Sequence, residues 1–172
     1  LFTAAAWADK YDGQVHNVPI RGVALAMKEP VGVIGALCAD EAPLLGLVSV
    51  MAPAIAMGNR VVLTASQPFP LAATDFYQIL ETSDLPAGVV NIVTGPRDAM
   101  AVPLAKHYGV DAIWYFGSRD GCAEIEKLAA DNMKRTWLNY GKAYDWTDNV
   151  QMNAKGLMER GTEVKNIWVP YG

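Results

Sequence analysis

The sequence predicts an α/β fold: a doubly wound parallel sheet of five strands, with a separate β-ribbon added to it. Three observations carry this. Residues 31–37 form a continuous apolar run, as a strand covered on both faces requires. From Pro30 onward, strand-length and helix-length segments alternate, which indicates βαβ units with right-handed crossovers and helices on both faces. Extended segments near both ends, 16–28 and 163–170, stand outside that alternation.

In chain order, residues 3–11 read as a short helix closed by Asp12-Gly13. Segments 16–20 and 23–28, separated by Arg21-Gly22, give a hairpin signal. Strand 31–37 is followed by helix 42–57, which Gly58-Asn59 ends. Strand 60–63, helix 71–83 with its turn at 84–88, strand 89–93 and helix 97–107 follow. Strand 112–116, helix 119–133 and a fifth strand at 135–139 complete the alternation. The tail holds a helix at 150–160 and a last strand at 163–170.

The chain has 172 residues, enough for one core, and is 52% hydrophobic, which excludes disorder. A net charge of −4 and the lack of a basic patch argue against a nucleic-acid partner. The apolar run at 44–57 is shorter than the ~20 residues of a bilayer span and contains Pro53, so it reads as a buried helix. Cys38 and Cys122 are too few for a disulfide framework and read as reduced thiols of a cytoplasmic protein. The chain opens on Leu1 and reads as a module of something longer.

Several blocks resemble the aldehyde dehydrogenases. Residues 7–13 (WADKYDG) are similar to the helix before that family's oligomerisation hairpin, and 29–35 (EPVGVIG) to its first nucleotide-domain strand. Residues 44–59 resemble its first long helix, and 116–118 (FGS) the start of its Gly-Ser-Thr-Glu-Val-Gly turn. The most specific block is 85–93 (LPAGVVNIV). Residues 135–142 (RTWLNYGK) stand where the family carries Glu-Leu-Gly-Gly-Lys, and 163–170 resemble its last strand. The resemblance implies a Rossmann-like domain at 30–142, preceded by a helix and oligomerisation hairpin at 1–29 and followed by a helix and oligomerisation strand at 143–172.

The family's functional residues transfer poorly. Glu41 stands where an asparagine donates to the oxyanion; losing such a donor costs ~10²–10³ in rate. The ribose-binding Lys-Pro-Ala-Glu aligns with 64–67 (TASQ), so Thr64 and Gln67 replace two charged partners. Gly117 and Ser118 persist as a vestigial cofactor turn, but the rest of it reads Arg119-Asp120-Gly121-Cys122. The general-base glutamate aligns with Leu138, or with Asn139 one register along, and neither takes a proton. The segment bearing the nucleophilic cysteine has no counterpart here, so no catalytic residue and no catalytic domain is expected in this chain.

This pattern resembles the degenerate C-terminal module of the family-sixteen, tandem aldehyde dehydrogenases. It implies a non-catalytic module that binds no cofactor and supports an NAD-dependent aldehyde-oxidising module, in cis or trans, within a homodimer or larger oligomer. Two rival readings are a regulatory domain with a weak, altered NAD(P) site and half of a shared active site. The ribbon's open edges call for a partner in the first reading.

Other candidates have plainer readings. Cys122, after the Gly-Ser turn, could have its thiol activated by a helix dipole, but no base is identifiable beside it and a packed thiol is the simpler reading. Cys38 reads as a small buried hydrophobe. Ser118, Asp120 and Gly121 could form an anion-binding turn, with Arg119 for it and Asp120 against it. His16 and His107 lack partners at metal-ligand spacing, so no metal is expected; His107 reads as a solvated residue near a helix end. Glu163 and Lys165 read as solvent-facing strand residues.

Overall fold

Two sheets organise the chain, of which the computed structural model describes residues 1–171. Helix α1 (Phe2–Ala8) leads into strands β1 (Gln14–His16) and β2 (Gly22–Pro30). Then come β3 (Val33–Leu37), α2 (Pro43–Ala56), β4 (Arg60–Thr64), α3 (Leu71–Glu81), β5 (Val90–Val93) and α4 (Arg97–Lys106). They are followed by β6 (Ala112–Tyr115), α5 (Arg119–Ala129), a 3-10 turn at Ala130–Asn132 and β7 (Arg135–Leu138). Helix α6 (Ala154–Arg160) and strand β8 (Thr162–Pro170) complete the chain.

Strands β3 to β7 form the five-stranded sheet in the order β5-β4-β3-β6-β7, and all four of its pairings are parallel. The order reverses between β3 and β6, which places the ligand crevice of such a fold at their carboxyl ends. The two middle strands are buried on both faces: Ile34, Ala36 and Leu37 of β3 and Ala112 and Ile113 of β6 are wholly inaccessible. One face packs Leu47, Met51 and Phe76 against Val61, Leu63 and Trp114. The other packs Ala101, Ala105, Ile125 and Ala129 against Leu37, Ile113 and Tyr115. Helix α2 shows no polar stripe because it runs under α1, α3 and α6 and is enclosed by apolar neighbours.

Strands β1, β2 and β8 form an antiparallel sheet in the order β1-β2-β8, so the predicted ribbon is present. Its root is held by Asn59, which is buried. The Asn59 amide donates to the Ala54 carbonyl at 2.9 Å and the Gly161 carbonyl at 2.8 Å, and its oxygen accepts from the Gly32 N–H at 2.9 Å. One side chain thus joins the end of α2, the start of β3 and the start of β8.

Several boundaries differ from the sequence reading. The first helix ends at Ala8, because Asp9 and Lys10 form a turn and Tyr11 a bend rather than a further helical turn. The first ribbon strand is Gln14–His16 and not 16–20; Asn17 to Ile20 form the connection, where Pro19 has no N–H to give a ladder. The ladder of β2 extends to Pro30, and β3 starts only at Val33 because Gly32 has a φ of +127°. Helix α5 ends at Ala129, and the chain leaves the following 3-10 turn with Met133 at a φ of +54°. The tail helix starts at Ala154 rather than 150, because the Asn153 side chain caps it by accepting from the Gly156 N–H. Gly172 lies outside the described residues. No helix among them is long and apolar enough to cross a membrane.

Candidate functional site

The carboxyl ends of the five parallel strands bring together residues from five separate loops. Asp40 follows β3, Ser66 and Gln67 follow β4, and Arg97 opens α4 after β5. The Asp40 carboxylate accepts from the Ser66 hydroxyl at 3.0 Å and the Gln67 N–H at 3.1 Å, and it ion-pairs with the Arg97 guanidinium. The Gln67 side chain in turn accepts from the Arg97 N–H at 3.0 Å. A crossbar of Asp40, Ser66, Gln67 and Arg97 therefore ties the ends of β3, β4 and β5. Thr64, the last residue of β4, is wholly buried, and its hydroxyl has no hydrogen-bond partner among the described residues.

Under the crossbar lies Cys38, whose thiol burial pushes up to about 12 from 9.0. The thiol is protonated in the fold at neutral pH. A raised folded value means that its contribution is fully present below about pH 9 and is lost as pH climbs toward 12. Tyr115 acts in the same direction: burial and its hydrogen bond to Asp98 push its phenol up to about 12. Urea unfolding should give a stability that is flat from neutral pH to about 9 and then falls, by up to ~4 kcal/mol at pH 12 from Cys38 alone. Cys38→Ala should flatten the first part of that decline; a wild-type profile flat to pH 12 refutes it.

The Gly-Ser turn is filled from below. The Tyr115 hydroxyl donates to Asp98 of α4 at 2.6 Å and lies against Gly117 and Gly121, where an added Cβ would strike the phenol. Ser118 spends its side chain on capping α5, accepting from the Gly121 N–H at 3.0 Å. Beside it is a cleft of about 250 Å³ lined by Asp98, Tyr115, Ser118, Asp120, Gly121 and Glu124. It carries three carboxylates and no cation, a poor setting for a phosphate.

Asn139, one residue past β7, is a structural hub. Its oxygen accepts from the Gly117 N–H at 3.0 Å and from the Cys122 thiol at 3.7 Å, and its amide donates to the Lys142 carbonyl at 3.1 Å. Cys122 is wholly buried in the first turn of α5 and also accepts from the Tyr140 N–H at 3.2 Å. The plainer reading of this thiol fits its surroundings.

Beyond Lys142 the chain folds back over these strand ends. Tyr144 and Trp146 join Trp114, Phe116 and Trp137 in one cluster of mostly edge-to-face rings, with Phe116–Trp137 centroids 4.8 Å apart and Phe116–Trp146 5.3 Å apart. The Trp137 indole donates to the Tyr144 hydroxyl at 3.1 Å, and the Trp146 indole donates to Glu41 at 3.4 Å. Glu41 is thus an acceptor for the tail. The Arg160 guanidinium stacks 4.2 Å over the Trp137 ring. Sequence reasoning missed the crossbar, the Tyr115–Asp98 bond and the aromatic seat. The density of Trp and Tyr between 137 and 146 was their one visible signal.

The ribbon offers a different surface. Registers place Val15 opposite Leu25 and Leu25 opposite Ile167, with Val23 opposite Val169, so these five share one face. Val15, Val23 and Val169 are 73%, 37% and 50% exposed, and Leu25 and Ile167 between them are half-buried. The opposite face is lined by Ala26, Lys28 and His16 and meets Trp7, Tyr11 and Lys155 of the helical side across a polar groove. Glu163 and Lys165 are solvent-facing as read, with Lys165 paired to Glu29 at 3.0 Å.

Elsewhere, His107 closes α4 in solvent and accepts from the Gly109 N–H at 3.0 Å. Among the described residues no group of three His, Cys, Asp or Glu side chains is placed to hold a metal. A groove of about 760 Å³ is apolar and lies at the opposite ends of the strands, between α1, α2 and the 85–89 turn. The chemistry-bearing residues are all at the carboxyl ends, so that groove is no part of this site.

The sequence profile of the "Aldehyde dehydrogenase family" matches residues 1–143. The NADP/NAD-dependent aldehyde dehydrogenase PuuC of Escherichia coli (strain K12) is 38% identical over 134 residues, covering 77% of this chain and 27% of that relative. Among solved structures, PnpE from Pseudomonas sp. WBC-3 superimposes with a TM-score of 0.75 at 30% identity, over 78% of this chain and 28% of its own. Lactaldehyde dehydrogenase from Escherichia coli gives 0.75 at 29% identity, over 78% and 28%. The chain thus spans little more than a quarter of the length of these relatives.

Proposed function

The chain belongs to the aldehyde dehydrogenase family, and from that premise we propose that it is a non-catalytic assembly module. It supports an NAD-dependent aldehyde dehydrogenase whose active module lies elsewhere in the full protein. In its organisation it corresponds to the degenerate second module of a family-sixteen, tandem enzyme. It works in the cytoplasm, in a homodimer or larger assembly, and holds no cofactor of its own.

The observation that carries this reading is the ribbon: an antiparallel sheet with Val15, Val23 and Val169 exposed and Leu25 and Ile167 half-buried on one face, next to strand ends closed by the chain's own side chains. An apolar sheet face and an open strand edge are stabilised by a partner. The strand ends fit a dinucleotide badly. Asp40 and Arg97 already neutralise one another, and Gln67 is committed to the Arg97 backbone. The cleft beside the Gly117-Ser118 turn is lined by the carboxylates of Asp98, Asp120 and Glu124. Trp146 and Tyr144 fold over the same ends that a catalytic domain would need open.

Co-purification with the parent's catalytic module, supplied on a separate chain, tests the reading. The intact chain should be retained, and deletion of residues 163–172 should abolish retention while the five-stranded sheet stays folded by circular dichroism. Equal retention of both chains sinks the proposal.

A further inference from the structure

We propose that the apolar groove at the amino ends of the parallel strands binds a single-chain amphiphile with a carboxylate head. The alkyl chain lies along α1 and the head group meets Arg60. This ligand is independent of the assembly role of the ribbon, and its groove is remote from the crossbar and the Gly-Ser turn.

The groove has the size and the walls of an alkyl-chain site. Its volume of about 760 Å³ falls within the range of small-molecule pockets. Its aliphatic lining comes from three elements: Ala5 and Ala8 of α1, Ile55 and Ala56 at the end of α2, and Leu85 and Val89 around the turn before β5. Helix α1 carries no charged residue, yet Ala4 is its only buried one, so an apolar wall stands open to water. Phe2, which also lines the groove, is 87% exposed.

The head group follows from charge. Arg60, the first residue of β4, is the only charged side chain among the lining residues. It is exposed and makes no ion pair among the described residues. Asn59, the other polar side chain there, is already committed, with its amide on the Ala54 and Gly161 carbonyls and its oxygen on the Gly32 N–H. A ligand therefore finds one polar handle at one edge of an otherwise apolar trough. A guanidinium receives a carboxylate through two parallel N–H···O bonds. A cationic head is repelled, and a neutral one leaves the guanidinium partly desolvated without an anion. A single cation balances one negative charge, which favours a carboxylate over a phosphate ester.

Titration calorimetry on the whole 172-residue chain tests the assignment, with octanoate, decanoate and dodecanoate as probes below their micelle concentrations. One saturable site is expected, tightening ~4-fold for each added methylene. Dodecyltrimethylammonium should bind at least ~10-fold more weakly than dodecanoate. Arg60→Gln should weaken dodecanoate by ~10-fold and abolish that preference for the anion. Ala5→Trp, a change at an exposed position of α1, should block every probe while the circular dichroism stays the same. Absence of heat with millimolar dodecanoate overturns the proposal. So does equal binding of the cationic amphiphile, or dodecanoate binding that neither variant changes. Sedimentation showing a dimer that Ala5→Trp dissolves would give the groove to a second copy and overturn it as well.

Discussion

Replacing Trp146 by alanine is expected to destabilise the chain by about 3–5 kcal/mol, the range for truncating a buried aromatic side chain. Trp146 is 5% exposed and stacks edge-on against Phe116 and Tyr144, with centroids 5.3 and 5.8 Å away. It is also the residue that fastens the 143–152 segment to α2, through Glu41 and the space over Gly46. Truncation opens a void that Phe116 and Trp137, fixed on the rigid sheet, cannot collapse into. Urea unfolding followed by circular dichroism measures the loss. Trp146→Phe keeps a ring and gives up one hydrogen bond to an exposed carboxylate, so it should cost much less. A loss under ~1 kcal/mol for Trp146→Ala would mean that the tail is not seated on the strand ends.

Titrating NAD⁺ into the isolated chain is expected to give no saturable heat at millimolar ligand. The resemblance puts Thr64 and Gln67 where the family carries two charged ribose partners. Losing two charge-assisted hydrogen bonds, each worth about 1.5–3 kcal/mol, weakens binding by ~10²–10⁴-fold. The crossbar adds to this: admitting a pyrophosphate would require parting Asp40 from Arg97, which leaves a carboxylate beside the incoming anion. Saturable binding at micromolar levels would overturn the non-catalytic reading and make this chain a cofactor sensor or half of a shared site.

The order and type of the main elements were legible because each is a local pattern. The run at 31–37, the helix ended by Gly58-Asn59 and the strand in residues 89–93 announce themselves within a few residues, and all are present. The ribbon was legible for the same reason, since strands 23–28 and 163–170 lie inside observed β2 and β8. Boundaries were less so. Asn153 as a cap and Gly32 as a strand delimiter are single-residue conformations that hydrophobic periodicity does not register.

The resemblance also marks departures from the family's motifs, at Glu41, Thr64, Gln67 and Leu138 or Asn139, but only as losses. What replaced them was not visible. Asp40 and Arg97 are 57 positions apart and Glu41 and Trp146 are 105 apart, and nothing in either segment marks its partner. The sequence by itself determined a doubly wound sheet with an added ribbon, because alternation of apolar runs, turns and helical segments admits few other layerings. Only the tertiary structure decided that the strand ends are closed by an ion pair, a phenol and a folded-back aromatic tail. Those contacts depend on sheet order and strand register, which bring five loops to one edge, and no local pattern encodes that.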